Sequence, residues 1–260
     1  MAVVALLQPG AMGSRIGGEL VDAGHEVRWL SPGRSAATAE RATAESLTPT
    51  TTAAELVDGA DVVLSVLAPQ HAVEVARLVA ATGFAGTYVD ANPLSPATLA
   101  TVRATVEPTG ATFVDAGVVG PPPRDGGLTH LYLAGPAQPV AEVARLVDGT
   151  RVVAVVVGEH IGQASAAKQA YALANKGRMV LVSMAAEIAR AHGVEHILEG
   201  EAVRPGGELL GELDDLRDGL AGTGWRWAPE LDEIAATLAA AGVNPAAVDG
   251  LADRLRSLAR

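Results

Sequence analysis

The chain has 260 residues and no cysteine, which removes disulfides, thiolate nucleophiles and cysteine-built metal sites in one step. Histidine is sparse, at positions 25, 71, 130, 160, 192 and 196. The pair His192 and His196 is interrupted by Gly193 and lacks an HExxH frame, so no metal is expected. Cations are outnumbered, 19 Lys and Arg against 30 Asp and Glu. A nucleic-acid surface needs clustered positive charge, so that partner is excluded and a small metabolite is expected. Apolar runs such as Val152–Val157 are short, far below the ~18 residues that cross a bilayer. "MAVVALLQPG" has no basic stretch ahead of its apolar residues, and the expectation is a cytoplasmic protein with no membrane partner. Aromatics make up 3% of the chain while 49% is hydrophobic, so the core must be assembled from many small Ala and Val contacts. Lysine is scarcest among the cations. It occurs only at 168 and 176, both inside "SAAKQAYALANKG" (165–177).

What is present begins with a βαβ pattern. "AVVALL" at 2–7 is a short apolar run that stops at Gly and Pro, the mark of a buried strand. Met12, Ile16, Leu20 and Ala23 then recur at near-helical spacing, with Gly24 where a helix C-cap belongs, and "EVRWL" at 26–30 is the next strand. A helix around 35–46, a strand at 61–67 and a helix around 71–81 continue the alternation. Further strands are expected at 87–92, 112–119, 128–135 and 151–157. Strands alternating with helices imply an α/β fold with a mostly parallel sheet covered on both faces. From His160 to His192 no proline occurs and glycine appears only at 162 and 177, which fits one long helix or two end to end. With breaks at "PGG" (205–207) and "AAGVNP" (240–245), the remainder reads as helices. The expected domains are 1–158, a sheet with helices, and 159–260, all helical.

The segment Gln8-Pro9-Gly10-Ala11-Met12-Gly13 carries the second and third glycines of a G-x-G-x-x-G dinucleotide loop, with Gln8 at the first. In such a loop the middle glycine lets the backbone approach a pyrophosphate that faces the helix N-terminus. An NAD-selective site would carry Asp or Glu about 20 residues on. Here the count reaches Leu30 and Ser31, followed by Arg34 and Ser35 in "SPGRS". Arginine pairs with phosphate oxygens, so NADP is expected with Ser31, Arg34 and Ser35 at its 2′-phosphate; the alternative is that Arg34 is a solvated loop cation.

Four segments resemble the β-hydroxyacid dehydrogenase superfamily, specifically its 6-phosphogluconate-dehydrogenase-like NAD(P)-dependent oxidoreductases with a short helical C-terminal domain. They are "PGAMG" (9–13), "DAGVVGPPP" (115–123), "SAAKQAYALANKG" (165–177) and "RWAPELDEIAATLAAAG" (226–242), in the family's order. The resemblance implies a Rossmann domain, a long helix with a catalytic lysine at Lys168, and a homodimer whose C-terminal helices help to wall the active site. It also implies a nicotinamide-side loop at Leu67, Ala68 and Pro69 and a cofactor-contacting turn at Asn92. Two departures stand out. Where the family's substrate loop resembles D-x-P-V-S-G, this chain has Gly117, Val118, Val119 and Gly120, so the serine hydroxyl that would hold a carboxylate is absent. The family's asparagine three or four residues after the lysine is also missing, with Tyr171 at plus three.

At 100° per residue Lys168, Tyr171 and Asn175 share one helical stripe, and Lys176 lies about 80° away. Lysine suits this place chemically. Its reference pKa near 10.4 can be lowered by burial toward the ~7–8 useful for acid–base work, whereas the arginine guanidinium stays protonated. The expected activity is NADP-dependent hydride transfer on a small-molecule C–OH/C=O pair. Lys168 is the general acid–base, Tyr171 and Asn175 stand beside it, and Val118, Val119, Gly120 and Trp227 are candidate substrate contacts. Competing readings are imine reduction on the same fold, which loss of the carboxylate-holding hydroxyl favours and Lys168 opposes, and a non-catalytic NADP-binding sensor.

Overall fold

Alternation of side chains along β1 (Val3–Leu6) and the residue after it fixes the architecture around it: Val4 and Leu6 enter one hydrophobic core, Ala5 and Leu7 another. The same division recurs at Val62 and Leu64 against Val63, and at Val89 against Tyr88. A strand buried on both faces reads as a continuous apolar run, and helices must cover each side. The computed structural model describes residues 1–123, 127–202, 220 and 224–258. Its chain divides into two compact units, Met1–Lys168 and Gln169–Arg260.

In the first unit β1 is joined by β2 (Glu26–Leu30), β3 (Thr48–Thr50), β4 (Val62–Ser65), β5 (Thr87–Asp90), β6 (Thr112–Val119), β7 (Thr129–Ala134) and β8 (Val152–Gly158). Their spatial order is β3-β2-β1-β4-β5-β6-β7-β8, with every neighbouring pair parallel except β6 and β7. The chain runs outward from β1 to β3 and then returns to continue from β4, so the carboxyl ends of β1 and β4 form the switch point at which such sheets take ligands. Helices α1 (Ala11–Asp22), α2 (Ala36–Ala44), α3 (Ala53–Val57), α4 (Ala72–Ala80), α5 (Pro96–Val106) and α6 (Ala137–Leu146) make the crossovers. Helix α1 closes with Gly24 at φ +88, where its N–H reaches the Val21 carbonyl.

The strand pattern read from sequence missed β3, whose Pro49 argues against a strand. On the outer edge, where β2 is its only paired neighbour, the missing N–H costs little. Helices α5 and α6 were not singled out either. Ser95 caps α5 by accepting from Thr98 N at 3.4 Å, with Pro96 at the first helical position, a start signal that can be read directly.

Helix α7 (Gln163–Ala172) runs into a π-turn at Leu173–Gly177 and then α8 (Arg178–Ala191). The second unit also holds α9 (Glu195–Ala202), α10 (Ala228–Ala240) and α11 (Ala246–Ser257). Leu231, Ile234, Val248, Ala252 and Leu255, all buried, form its core with Val180 and Leu220. The break expected at 240–245 is there, with Gly242 at φ +73 and Pro245 leading into α11; the break expected at 205–207 lies outside the described residues. No helix among the described residues is long and apolar enough to cross a membrane.

A candidate dinucleotide and proton-transfer site

Between β1 and α1 the two loop glycines have different jobs. A Cβ on Gly13 would lie 2.5 Å from the Gln8 carbonyl oxygen, so close packing of helix on loop forbids any side chain. A Cβ on Gly10 would meet nothing within 4 Å. Gly10 has ordinary extended backbone (φ −69, ψ −173), so nothing inside the protein requires glycine there, and the open space above it suits a ligand that needs backbone contact. No side chain caps α1 and its first turn holds no acidic residue. The amides of Ala11, Met12 and Gly13 and the positive end of the helix dipole thus fit an anion.

Beside this loop a cavity of about 620 Å³ is lined by Gln8, Arg34, His71, Glu74, Val75, Arg77 and Leu78. Arg34 donates to the Leu7 carbonyl at 3.4 Å and faces the cavity. The two serines expected to join it are engaged elsewhere: the Ser31 hydroxyl donates to the Thr50 carbonyl at 3.0 Å, and the Ser35 hydroxyl caps α2 by accepting from Thr38 N at 3.3 Å. Sequence reasoning missed His71 and Arg77. A signal existed, since His71, Glu74, Val75 and Leu78 recur at i, i+3, i+4 and i+7 along one face directly after β4.

Leu67, Ala68 and Pro69 follow β4, and Asn92 follows β5. Asn92 is buried with both ends of its amide turned inward: Oδ1 accepts from Leu67 N at 2.7 Å and Nδ2 donates to Ser65 Oγ at 2.9 Å. Its backbone N–H donates to Asp90 Oδ1 at 3.0 Å. Asn92 therefore builds the Leu67–Pro69 loop from behind.

Strand β6 carries the expected substrate loop at its carboxyl end. Its pairing with β5 ends at Asp115 opposite Asp90, while its pairing with β7 runs from Asp115 to Val119 opposite His130. Val118 and Val119 are both buried, and Gly120 at φ +115 turns the chain where a Cβ would lie 2.8 Å from the Leu128 carbonyl. What this stretch can offer a ligand is backbone and shape. A Cβ on Gly117 would stand 2.7 Å from Lys168 Cβ and 3.1 Å from the Ala164 carbonyl oxygen, so this glycine is what lets α7 lie against β6 at the lysine. At the head of α7 the buried Asp115 carboxylate accepts from Gly162 N at 2.8 Å, Ala164 N at 2.9 Å and Ser165 N at 3.2 Å on one oxygen, and from Ser165 Oγ at 2.6 Å on the other. Burial pushes this carboxyl above the usual carboxylate range, against the Ser165 hydroxyl and the three amides that pull it down.

In the second unit Tyr171 and Asn175 are exposed. The uniform α-helical count that aligned Asn175 with Lys168 stops at Ala172, because the π-turn follows and carries one more residue per turn. Lys176, half-buried in that turn, pairs with Glu230 of α10 and sits 5.3 Å over the ring of Trp227. Trp227 thus packs its ring on a cation of its own unit.

A family model described as the NAD binding domain of 6-phosphogluconate dehydrogenase matches residues 4–135, and a domain of unknown function, DUF1932, matches residues 189–258. No curated protein matches the chain significantly. Among solved structures, Mycobacterium tuberculosis 3-hydroxyisobutyrate dehydrogenase with L-serine superposes with a TM-score of 0.79 at 20% identity, covering 100% of this chain and 94% of that one. The conserved protein MTH1747, of unknown function and structurally similar to 3-hydroxyacid dehydrogenases, gives 0.70 at 25% identity over 98% and 97%. An imine reductase of Streptomyces aurantiacus gives 0.60 at 18% identity over 98% and 93%. A family match across half the chain, on a sheet ordered as a dinucleotide-binding fold requires, makes this protein a member of the family of the NAD binding domain of 6-phosphogluconate dehydrogenase.

Proposed function

We propose that the chain is an NADP-dependent oxidoreductase acting on a small-molecule C–OH/C=O pair, with Lys168 as general acid–base. One observation carries the reading: the missing Cβ of Gly117 admits α7 so closely that Lys168, the only lysine of the first unit, stands against the C-terminal half of β6. The amides of Ala11, Met12 and Gly13 would hold the pyrophosphate, Arg34 with His71 and Arg77 the 2′-phosphate, and Leu67–Pro69 would border the nicotinamide. Bound NADPH supplies the hydride. The Lys168 ammonium gives a proton to the substrate oxygen that gains charge as its carbon is reduced, and the amine takes one back in oxidation, work that contributes roughly 10²–10⁴ in rate. Backbone at Val118, Val119 and Gly120 orients the substrate.

Imine reduction is the second reading, favoured by the buried Val119, which offers no hydroxyl for a carboxylate. The test is NADPH oxidation with aldehydes, keto acids and cyclic imines, run with wild type and Lys168→Ala in parallel. The expected result is turnover of a carbonyl substrate, reduced ~10²-fold or more in the variant with NADPH binding kept. Equal turnover by both proteins refutes the acid–base role, and imine turnover alone selects the second reading.

The same proposal includes a cytoplasmic homodimer. Leu181, Met184 and Ile188 recur at i, i+3 and i+7 on α8 and are 59%, 41% and 66% exposed. An apolar stripe of that kind is suited to a second copy of the chain. Light scattering at the mass of one chain would refute the dimer.

A further inference from the structure

We infer that Asp115 is a positioning residue for Lys168, acting through the helix that carries it. The inference rests on the acid–base reading of Lys168, since it concerns how that amine is aimed. A helix begins with four backbone N–H groups that have no partner inside the helix, and these are usually met by a side chain of the residue just before it. At α7 two of them, together with the N–H of the residue just before the helix, are met from a different element. Asp115, about 50 residues earlier in the chain and buried on β6, takes Gly162 N, Ala164 N and Ser165 N on one oxygen and Ser165 Oγ on the other. Ser165 Oγ also lies 3.4 Å from the Asn92 carbonyl, and Asn92 is the residue whose amide shapes the Leu67–Pro69 loop. Asp115, Ser165 and Asn92 are all at most 3% exposed.

Directional bonds do what an apolar contact cannot. Hydrophobic packing alone would let α7 slide or turn on the sheet, whereas a carboxylate bonded through both oxygens fixes the helix in rotation and along its axis. Gly117, on the same face of β6 two residues on, sets the distance at Lys168 itself. One strand thus holds the helix at its head and at its lysine. Ser165 also lies beside Asn92, which shapes the loop proposed to border the nicotinamide.

The chain's two lysines make this testable without a substrate. Protein labelled with [13Cε]lysine gives two side-chain NMR signals, assigned with Lys176→Arg. In Asp115→Ala and Ser165→Ala the Lys168 signal shifts or broadens while the Lys176 signal stays at its wild-type position. Asp115→Asn restores the Lys168 signal, because its remaining oxygen still accepts the backbone N–H groups and its NH2 can donate to Ser165 Oγ. In turnover, Ser165→Ala lowers kcat roughly tenfold with the NADPH Kd within about threefold of wild type. Should Asp115→Ala fail to fold, Ser165→Ala and Asp115→Asn decide. An unmoved Lys168 signal in Ser165→Ala, or equal movement of both lysine signals in Ser165→Ala and Asp115→Asn alike, overturns the inference. Retained turnover in Lys168→Ala would remove the acid–base reading on its own, since the NMR result does not depend on it.

Discussion

Replacing Gly117 by alanine tests the contact on which the proposed chemistry rests. The new methyl carbon would lie 2.7 Å from Lys168 Cβ, 3.1 Å from the Ala164 carbonyl oxygen and 3.4 Å from Lys168 Cγ. Ordinary contact begins near 3.4 Å, so β6 and α7 must part by about 0.7 Å. The helix cannot yield evenly, because Asp115 bonds its first turn to the same strand. Overpacking of this kind costs about 1–3 kcal/mol, which for a unit of this size lowers Tm by roughly 2–12 °C. A misplacement approaching 1 Å at a reacting group can cost ~10² in rate. Gly117→Ala is therefore expected to melt lower and to lose kcat far more than its stability loss explains, with NADPH affinity little changed. The assays are calorimetry, cofactor titration and steady-state turnover under conditions where the variant is fully folded. Wild-type Tm together with wild-type kcat would refute the reasoning, since a carbon atom cannot occupy that space without cost.

Gly10→Ala reverses the pattern: a methyl there meets nothing in the protein, so stability stays within about 1 kcal/mol while NADPH affinity falls at least ~10-fold, and unchanged binding by calorimetric titration would show that no ligand approaches the loop. Arg34→Ala weakens NADPH at least ~10-fold more than NADH, and equal losses in the two titrations would exclude a 2′-phosphate at that guanidinium. Lys176→Ala removes the ammonium paired with the mostly buried Glu230 carboxylate and lowers stability by roughly 1–3 kcal/mol without touching NADPH affinity; a denaturant midpoint equal to wild type would refute the pair's structural role. Because the folded-state pKa of Asp115 is raised, its contribution to stability is present below the unfolded pKa and lost as pH rises through the folded one. The Tm of wild type relative to Asp115→Asn therefore falls as pH rises from below the usual carboxylate range, and a difference that stays constant with pH would contradict it.

Seven of the eight strands were legible in the sequence, β1 and β4 as the apolar runs that two-sided burial writes and β2 by its alternation, and β3 escaped because Pro49 hides an edge strand behind a rule meant for central ones. The glycine loop was legible too, although sequence alone could not separate Gly13, demanded by packing, from Gly10, which packing does not demand. Ser31 and Ser35 are expected at the 2′-phosphate from residue type alone. Only coordinates show a hydroxyl already committed to a carbonyl or to a helix cap. Which way the Asn92 amide faces is a tertiary fact, and it faces Leu67 N and Ser65 Oγ. The helical count to Asn175 assumed uniform geometry, and nothing in "LANKG" announces a π-turn.

The alternation of β6 carries a constraint on how this protein can change length. Asp115 and Gly117 face α7, whereas Ala116 and Val118 enter the opposite core. Inserting or deleting one residue between Asp115 and Gly117 would leave the carboxylate in place but send Gly117 to the opposite core and turn Val118 toward the lysine. Relatives of differing size are then expected to differ in the connection after Gly120 and to keep the spacing from Asp115 to Gly117 intact.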